Sequence, residues 1–123
     1  MTDNPFGYSD RLMQTFEQLK YDGEIDNPTV TVTKGSMAIG QSVKFMLKIE
    51  DGIITDGRFK AFGSTATIAC ASFAIQWLIG KTIEEASTFS SQRLIETFEL
   101  SMIKRNSALF VADAIHQLLK LSK

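Results

Sequence analysis

Few side chains in this 123-residue chain could do chemistry beyond packing and solvation. Cys70 is its one thiol and His116 its one imidazole. The other candidates are hydroxyl and amide groups on three short runs. These are Gly35-Ser36-Met37-Ala38-Ile39-Gly40, the run from Phe59 to Ala69 that contains Phe62-Gly63-Ser64-Thr65, and Leu100-Ser101-Met102-Ile103-Lys104-Arg105-Asn106-Ser107. Three such junctions between loops and regular elements, converging at one end of a domain, would leave side chains free to hold a metal ion or small ligand. Ser64, Asn106 and Ser107 also have a plainer use, since all three are favoured helix N-caps. A serine hydrolase reading fares poorly. No Ser-His-Asp logic is legible, and His116 has no predicted route to Ser64 or Ser107. Cys70 lies six residues beyond Ser64 in an apolar helical stretch, about 600° of helical rotation, so it points away from the Ser64 direction. It is expected to be a small buried apolar side chain, and His116 a structural histidine.

The wider composition narrows the class. Thirteen basic residues against 14 acidic ones leave a net charge of −1. That gives no general electrostatic reason to expect nucleic acid or an anionic membrane as partner. A single cysteine excludes an internal disulfide and any Cys-rich zinc site. The apolar fraction of 44% and charged fraction of 22% are ordinary for a globular chain, and the length suits one domain, residues 1–123. The most apolar run, Ile68 to Ile79, is too short to span a bilayer and is interrupted by Ser72 and Gln76. Met1-Thr2-Asp3-Asn4-Pro5 lacks the basic and apolar regions of a secretory leader. The expectation is a cytoplasmic protein with no membrane partner.

The elements that must position these groups follow from periodicity. Tyr8, Leu12, Phe16 and Leu19 have helical spacing behind Ser9, a plausible N-cap. Val30 and Val32 alternate with threonines, and Val43, Phe45, Leu47 and Ile49 alternate with Ser42, Lys44, Met46 and Lys48. That period of two is what a half-buried strand needs. Asp51-Gly52 links this run to a third alternating one, Arg58 to Phe62, as a β-hairpin. A connection near Lys34-Gly35-Ser36 joins the first strand to the pair. Beyond Gly63 the pattern is helical. One helix is capped by Ser64 or Thr65 and stopped at Gly80. A short one opens on the capping box Thr82-Ile83-Glu84-Glu85, and another covers Gln92 to Thr97 behind Ser90 or Ser91. The last starts near Asn106 or Ser107, with Ala108, Val111, Ala112, Ile115, Leu118 and Leu119 on one face. The predicted fold is α+β: a three-stranded antiparallel sheet covered on one face by helices. Trp77 and the phenylalanines are expected in its core, and Lys104-Arg105 at a solvated corner.

Several runs taken in order give this sequence a family resemblance. They are Gly52-Ile53-Ile54 to Asp56, Arg58-Phe59-Lys60 with Phe62-Gly63, Gln76-Trp77-Leu78-Ile79-Gly80-Lys81, and Asp113-Ala114-Ile115. From Tyr8 to about Leu119 the chain resembles the IscU-type iron–sulfur assembly scaffolds and the similar N-terminal domain of NifU. The resemblance implies a site that binds an iron–sulfur cluster or zinc. It places the family's three cysteines at Ile39, Ser64 and Ser107, its histidine at Asn106, and its aspartate at Gln41. All five are substituted here. The family's chaperone-recognition run, Leu-Pro-Pro-Val-Lys, corresponds to Leu100-Ser101-Met102-Ile103-Lys104, without either proline.

The chemistry of the substitutes decides what to expect. Cluster iron is held by thiolates, with imidazole or carboxylate as occasional replacements. Serine hydroxyls do not ionise near neutral pH, and Ile39 has no donor atom. Sulfur transfer from a desulfurase also needs a thiolate acceptor. No cofactor and no catalysis are therefore expected. The best reading is a non-catalytic accessory or regulatory partner in iron–sulfur cluster assembly, docking on a cysteine desulfurase, a frataxin-like protein or a cluster-competent scaffold. The alternative is a small-ligand or oxygen-donor metal-binding protein that reuses the same pocket. Oligomeric state is left open.

Overall fold

The computed structural model describes residues 7–122. Strands β1 (Val30–Ser36), β2 (Gln41–Glu50) and β3 (Ile53–Phe62) form one antiparallel sheet in the order β1-β2-β3. The hairpin turn is Asp51-Gly52, with φ of 52° and 76°. Two successive left-handed residues make the type I′ turn, whose twist matches the flanking strands, and a glycine takes the second position without strain. The sequence places the β1–β2 connection near Lys34-Gly35-Ser36. The strand instead runs on to Ser36, and the turn is the 3₁₀ segment Met37–Ile39 closed by Gly40 at φ 86°.

Among the described residues five α-helices precede or follow the sheet: α1 (Asp10–Glu17), α2 (Thr65–Leu78), α3 (Ile83–Ala86), α4 (Ser91–Phe98) and α5 (Arg105–Leu121). Val43, Phe45 and Leu47 of β2 and Phe59 of β3 face them and are buried. Helix α2 is central and has no polar face: Ala66, Ala69, Cys70, Ala71, Ala74, Ile75 and Leu78 are all buried. A helix buried around its circumference needs small residues where neighbours approach. Gly57 of β3 provides the matching hollow, since a side chain there would meet Ile75 Cγ2 at 3.0 Å. The capping box of α3 forms as the sequence predicts, with Glu85 Oε1 accepting from the Thr82 backbone N–H and Thr82 Oγ1 from that of Glu85.

The opposite face of the sheet is covered in part by a segment the sequence reads only as turn. Met46 points away from the helices, yet is 1% exposed. Residues 21–28 cross this face. Glu24 pairs with Lys44 and Lys60, the Asn27 carbonyl accepts from Lys48 Nζ, and Arg58 stacks 5.5 Å from the Tyr21 ring. The same segment closes part of the free edge of β3, where Phe59 N donates to Tyr21 O and Phe59 O accepts from Gly23 N, both at 2.9 Å. An exposed strand edge is a template for unwanted pairing, and this contact blunts it.

Two further expectations change. Helix α5 begins at Arg105, after a 3₁₀ turn over Met102–Lys104, so Asn106 and Ser107 lie inside its first turn and do not cap it. Phe62 is not in the core, being 43% exposed at the end of β3. Trp77 is only half-buried, set against Phe89 with Lys81 and Arg93 over its ring. Among the described residues, no helix is long and apolar enough to cross a membrane.

Candidate functional site

Ser64 is the N-cap of α2, its Oγ accepting from Thr67 N at 3.1 Å. That bond brings Thr67, three residues on, to the same end of the helix. Thr67 Oγ1 lies 3.0 Å from Ser64 Oγ and donates to Gln41 Oε1 at 3.0 Å. Gln41 stands at the start of β2, where alternation turns it toward the helices. From the first turn of α5, Ser107 Oγ comes within 3.3 Å of Ser64 Oγ and 3.2 Å of Thr67 Oγ1. Three hydroxyls and one amide, drawn from β2, α2 and α5, thus form a single network. Each hydroxyl brings one proton, so three of the four contacts among Ser64, Thr67, Ser107 and the Gln41 carbonyl oxygen are hydrogen-bonded at a time. Thr67 and Ser107 are buried. Among the described residues no buried side-chain polar atom lacks a partner.

Two helix N-termini meet here, and neither has an acidic residue in its first turn. Beside the network lies an open cavity of about 500 Å³ lined by Lys34, Gln41, Asn106, Leu109, Phe110 and Asp113. Lys34 Nζ sits 2.7 Å from Asp113 and 5.5 Å from the centre of the Phe110 ring. The hydrogen bond from Lys34 holds the exposed Asp113 carboxyl below the usual carboxylate range. Gly35 is fixed by this packing. At φ 85° it is left-handed, and a Cβ there would run into the Gln41 carbonyl oxygen and meet Phe110 Cζ at 2.7 Å.

The structure brings Gln41, Ser64 and Ser107 into contact, and puts Asn106 on the wall of the cavity that Gln41 lines. Ile39 lies at the same end, two residues before Gln41, with its side chain 65% exposed. Thr67 is the member that sequence reasoning passed over. Its signal was the i to i+3 spacing from the N-cap, which puts it on the Ser64 side of the helix.

The donor set does not suit cluster iron. It comprises neutral hydroxyls and an amide already committed to one another, with no thiolate, imidazole or carboxylate among them. Among the described residues no group of three or more His, Cys, Asp or Glu side chains is arranged to hold a metal ion.

The chain's lone thiol is remote from this chemistry. Cys70 is fully buried in α2, and burial pushes its pKa up from 9.0 to about 12. The folded chain therefore keeps a proton that the unfolded chain releases above pH 9. Unfolding is favoured progressively as pH rises from about 9 toward 12, and Cys70→Ala should remove that component of the slope. Denaturant titrations of both proteins between pH 8 and pH 11 would show it as a difference that widens with pH. His116 is also structural. Its Nε2 is 2.6 Å from the Phe89 carbonyl oxygen, and nine residues of helix, about 13 Å of rise, separate it from Ser107. No serine–histidine pair exists at the site.

An antiparallel three-strand sheet with helices on one face, and a site where a hairpin and two helix N-termini meet, define a two-layer α+β domain. The model of the family described as NifU-like N terminal domain matches residues 7–121, and the chain belongs to that family of iron–sulfur cluster assembly scaffolds. It is 34% identical over 112 residues to the iron–sulfur cluster assembly scaffold protein IscU of Azotobacter vinelandii, covering 88% of each chain. Identity to the protein of the same name from Escherichia coli K12 is 32% over the same length and share of each chain. A Drosophila melanogaster relative called an iron–sulfur cluster assembly enzyme is 31% identical over 88% of this chain and 73% of its own. Among solved structures, a NifU-like N-terminal protein from Brucella abortus superposes with a TM-score of 0.74 over 92% of each chain at 19% identity. A SUF-system protein from Fervidobacterium islandicum AW-1 gives 0.76 over 91% of this chain and 96% of its own, also at 19% identity.

Proposed function

We propose that this chain is a member of the scaffold family that does not itself assemble a cluster. It acts as a non-catalytic accessory or regulatory partner of the assembly machinery. The observation that carries this reading is the hydroxyl–amide network of Gln41, Ser64, Thr67 and Ser107. It fills the place where the family resemblance puts thiolates and a carboxylate. A network whose hydrogen bonds are all internal has little affinity left for iron, and the buried, protonated Cys70 cannot accept persulfide sulfur.

Retention of the fold without the ligands favours protein contact as the selected property. A specific interface buries about 1,200–2,000 Å² in total, far more than a three-ligand pocket supplies, so a docking surface can outlive the ligands. The partner class is a cysteine desulfurase or a cluster-competent scaffold of the same organism. Titrating each, purified and reduced, at moderate salt should give saturable binding to at least one. No binding to either at about 100 μM, where even a weak complex of −6 kcal/mol would register, overturns the accessory reading.

A second reading draws on the cavity of about 500 Å³ beside Asn106, whose size suits a small molecule. In that case the protein holds a small ligand or an oxygen-coordinated cation. Mass analysis and metal content of the protein as purified separate this from the first reading.

A further inference from the structure

Strand β3 has one neighbour in the sheet, β2, so the backbone groups on its other side need partners from elsewhere. In an antiparallel pair, alternate residues turn both N–H and C=O away from the partner strand. Near the hairpin the outward residue is Ile54. Its N–H donates to Lys81 O at 2.9 Å and its carbonyl accepts from Gly80 N at 2.7 Å. At Gly57 adjacent side chains serve, the N–H donating to Asp56 Oδ1 at 2.8 Å and the carbonyl accepting from Arg58 Nη1 at 2.6 Å. Phe59 is closed by Tyr21 and Gly23 through two bonds of 2.9 Å. Gly23, left-handed at φ 134°, then carries the chain off the edge toward Glu24, which pairs with Lys44 and Lys60. Ala61 is next in the alternation, opposite Val43. Among the described residues nothing bonds to its N–H or its carbonyl.

Beside this gap lies an open cavity of about 370 Å³, walled by Leu19, Phe59, Ala61 and Ile68. A residue set opposite Ala61 would share its side of the sheet, the helical side, and direct its side chain into that cavity. Asp22 and Lys60 also line it and carry one charge of each sign, so it favours neither an anion nor a cation.

We infer that Ala61 and this cavity receive an extended segment of a different protein, running antiparallel to β3 with an apolar residue opposite Ala61. The direction follows from the space. Residues 21–23 already occupy the ladder at Phe59, in the parallel sense. A parallel guest would bond Ala61 through the two residues flanking its paired one, and the first of these would fall where Gly23 stands. An antiparallel guest exchanges both bonds through the paired residue itself, so it can end or turn away there without meeting Gly23. Strand addition of this kind takes affinity from main-chain hydrogen bonds and specificity from a pocket for one side chain. The fold already uses the same edge in this way for its own residues 21–23.

This inference goes beyond the accessory reading, and its test can succeed or fail whatever the desulfurase and scaffold titrations show. In amide hydrogen exchange of the protein alone, Phe59 should be protected and Ala61 should exchange at least about 100-fold faster. Protection of Ala61 in dilute protein would mean that the chain closes its own edge, and protection that grows with concentration that a second copy does. Either result overturns the proposal. The probe for the guest is the peptide acetyl-Lys-Thr-Thr-Val-Leu-amide, titrated to about 5 mM against isotope-labelled protein and followed by amide NMR shifts. The shifts should centre on Gly23, Ala61 and Ile68 and saturate with a Kd of about 1 mM or tighter. Methylating the leucine nitrogen removes the donor to Ala61 O, and replacing that leucine by alanine empties the cavity. Each change should weaken binding at least about tenfold. Ala61→Pro removes the other bond and leaves the β2 ladder intact, because that N–H points outward, and should weaken binding as much. The N-methyl peptide makes the same test without altering the protein. No shift at Ala61, or equal binding by the N-methyl peptide, overturns the proposal.

Discussion

Incubated anaerobically with ferrous iron, sulfide and a thiol, the protein gains no cluster absorbance above a control without protein. The Ile39→Cys/Ser64→Cys/Ser107→Cys variant gains a protein-bound cluster in stoichiometric amount. The contrast rests on donor chemistry. At these positions the parent chain offers an alkyl group and two hydroxyls that stay protonated at neutral pH, and iron in clusters requires thiolate or a substitute of comparable donor strength. The geometry favours the variant. Ser64 and Ser107 already stand with side-chain oxygens 3.3 Å apart, so cysteines there would present two sulfurs to one site. Both would lie at helix N-termini, where the partial positive charge lowers a thiol pKa and favours the thiolate. Losing the Ser64 cap costs about 1 kcal/mol, which a domain of this size tolerates. A stoichiometric cluster spectrum from the parent chain would refute the proposed loss of assembly function. A correctly folded variant that stays colourless would instead mean that Ile39, Ser64 and Ser107 are not the family's ligand positions.

The largest stability effect is expected at Phe59. Phe59 is 1% exposed, it pairs with Phe45 of β2 across the hairpin, and its backbone holds residues 21–23 on the edge of β3 through two hydrogen bonds of 2.9 Å. Phe59→Ala removes a buried ring and leaves a cavity under α2, at a cost of about 3–5 kcal/mol. That is a large share of the roughly 5–15 kcal/mol that holds a domain together. At a few degrees per kcal/mol, the Tm should fall by more than about 10 °C. Ile103→Ala is the matched control. Its side chain is 91% exposed, and surface substitutions of this kind usually stay within about ±0.5 kcal/mol. Thermal unfolding of the two variants beside the parent makes the comparison. Similar losses at both positions would mean that Ile103 is buried in solution.

The sequence by itself determined what is local or countable. Alternation over Val43 to Ile49 needs only the two-residue pleat, Asp51-Gly52 needs only left-handed turn geometry, and Thr82 to Glu85 closes its capping box within four residues. The order of short motifs carried the family, and a count of one cysteine excluded three thiolate ligands on a single chain. Cys70 could be read as buried because helical rotation turns it away from the N-cap. The tertiary structure decided what depends on residues far apart in the chain. Thr67 became the hub of the site only when β2, 26 residues earlier, and α5, 40 residues later, came within hydrogen-bond distance. Met46 reads as a solvent-facing strand position, and is buried on a sheet face that a loop distant in sequence crosses. Asn106 and Ser107 have the chemistry of N-caps, yet the 3₁₀ turn at Met102–Lys104 starts α5 earlier and turns Ser107 into the network. Periodicity reports which face of an element is apolar. It does not report which other element will meet that face, because long-range contacts are chosen by packing of the whole domain.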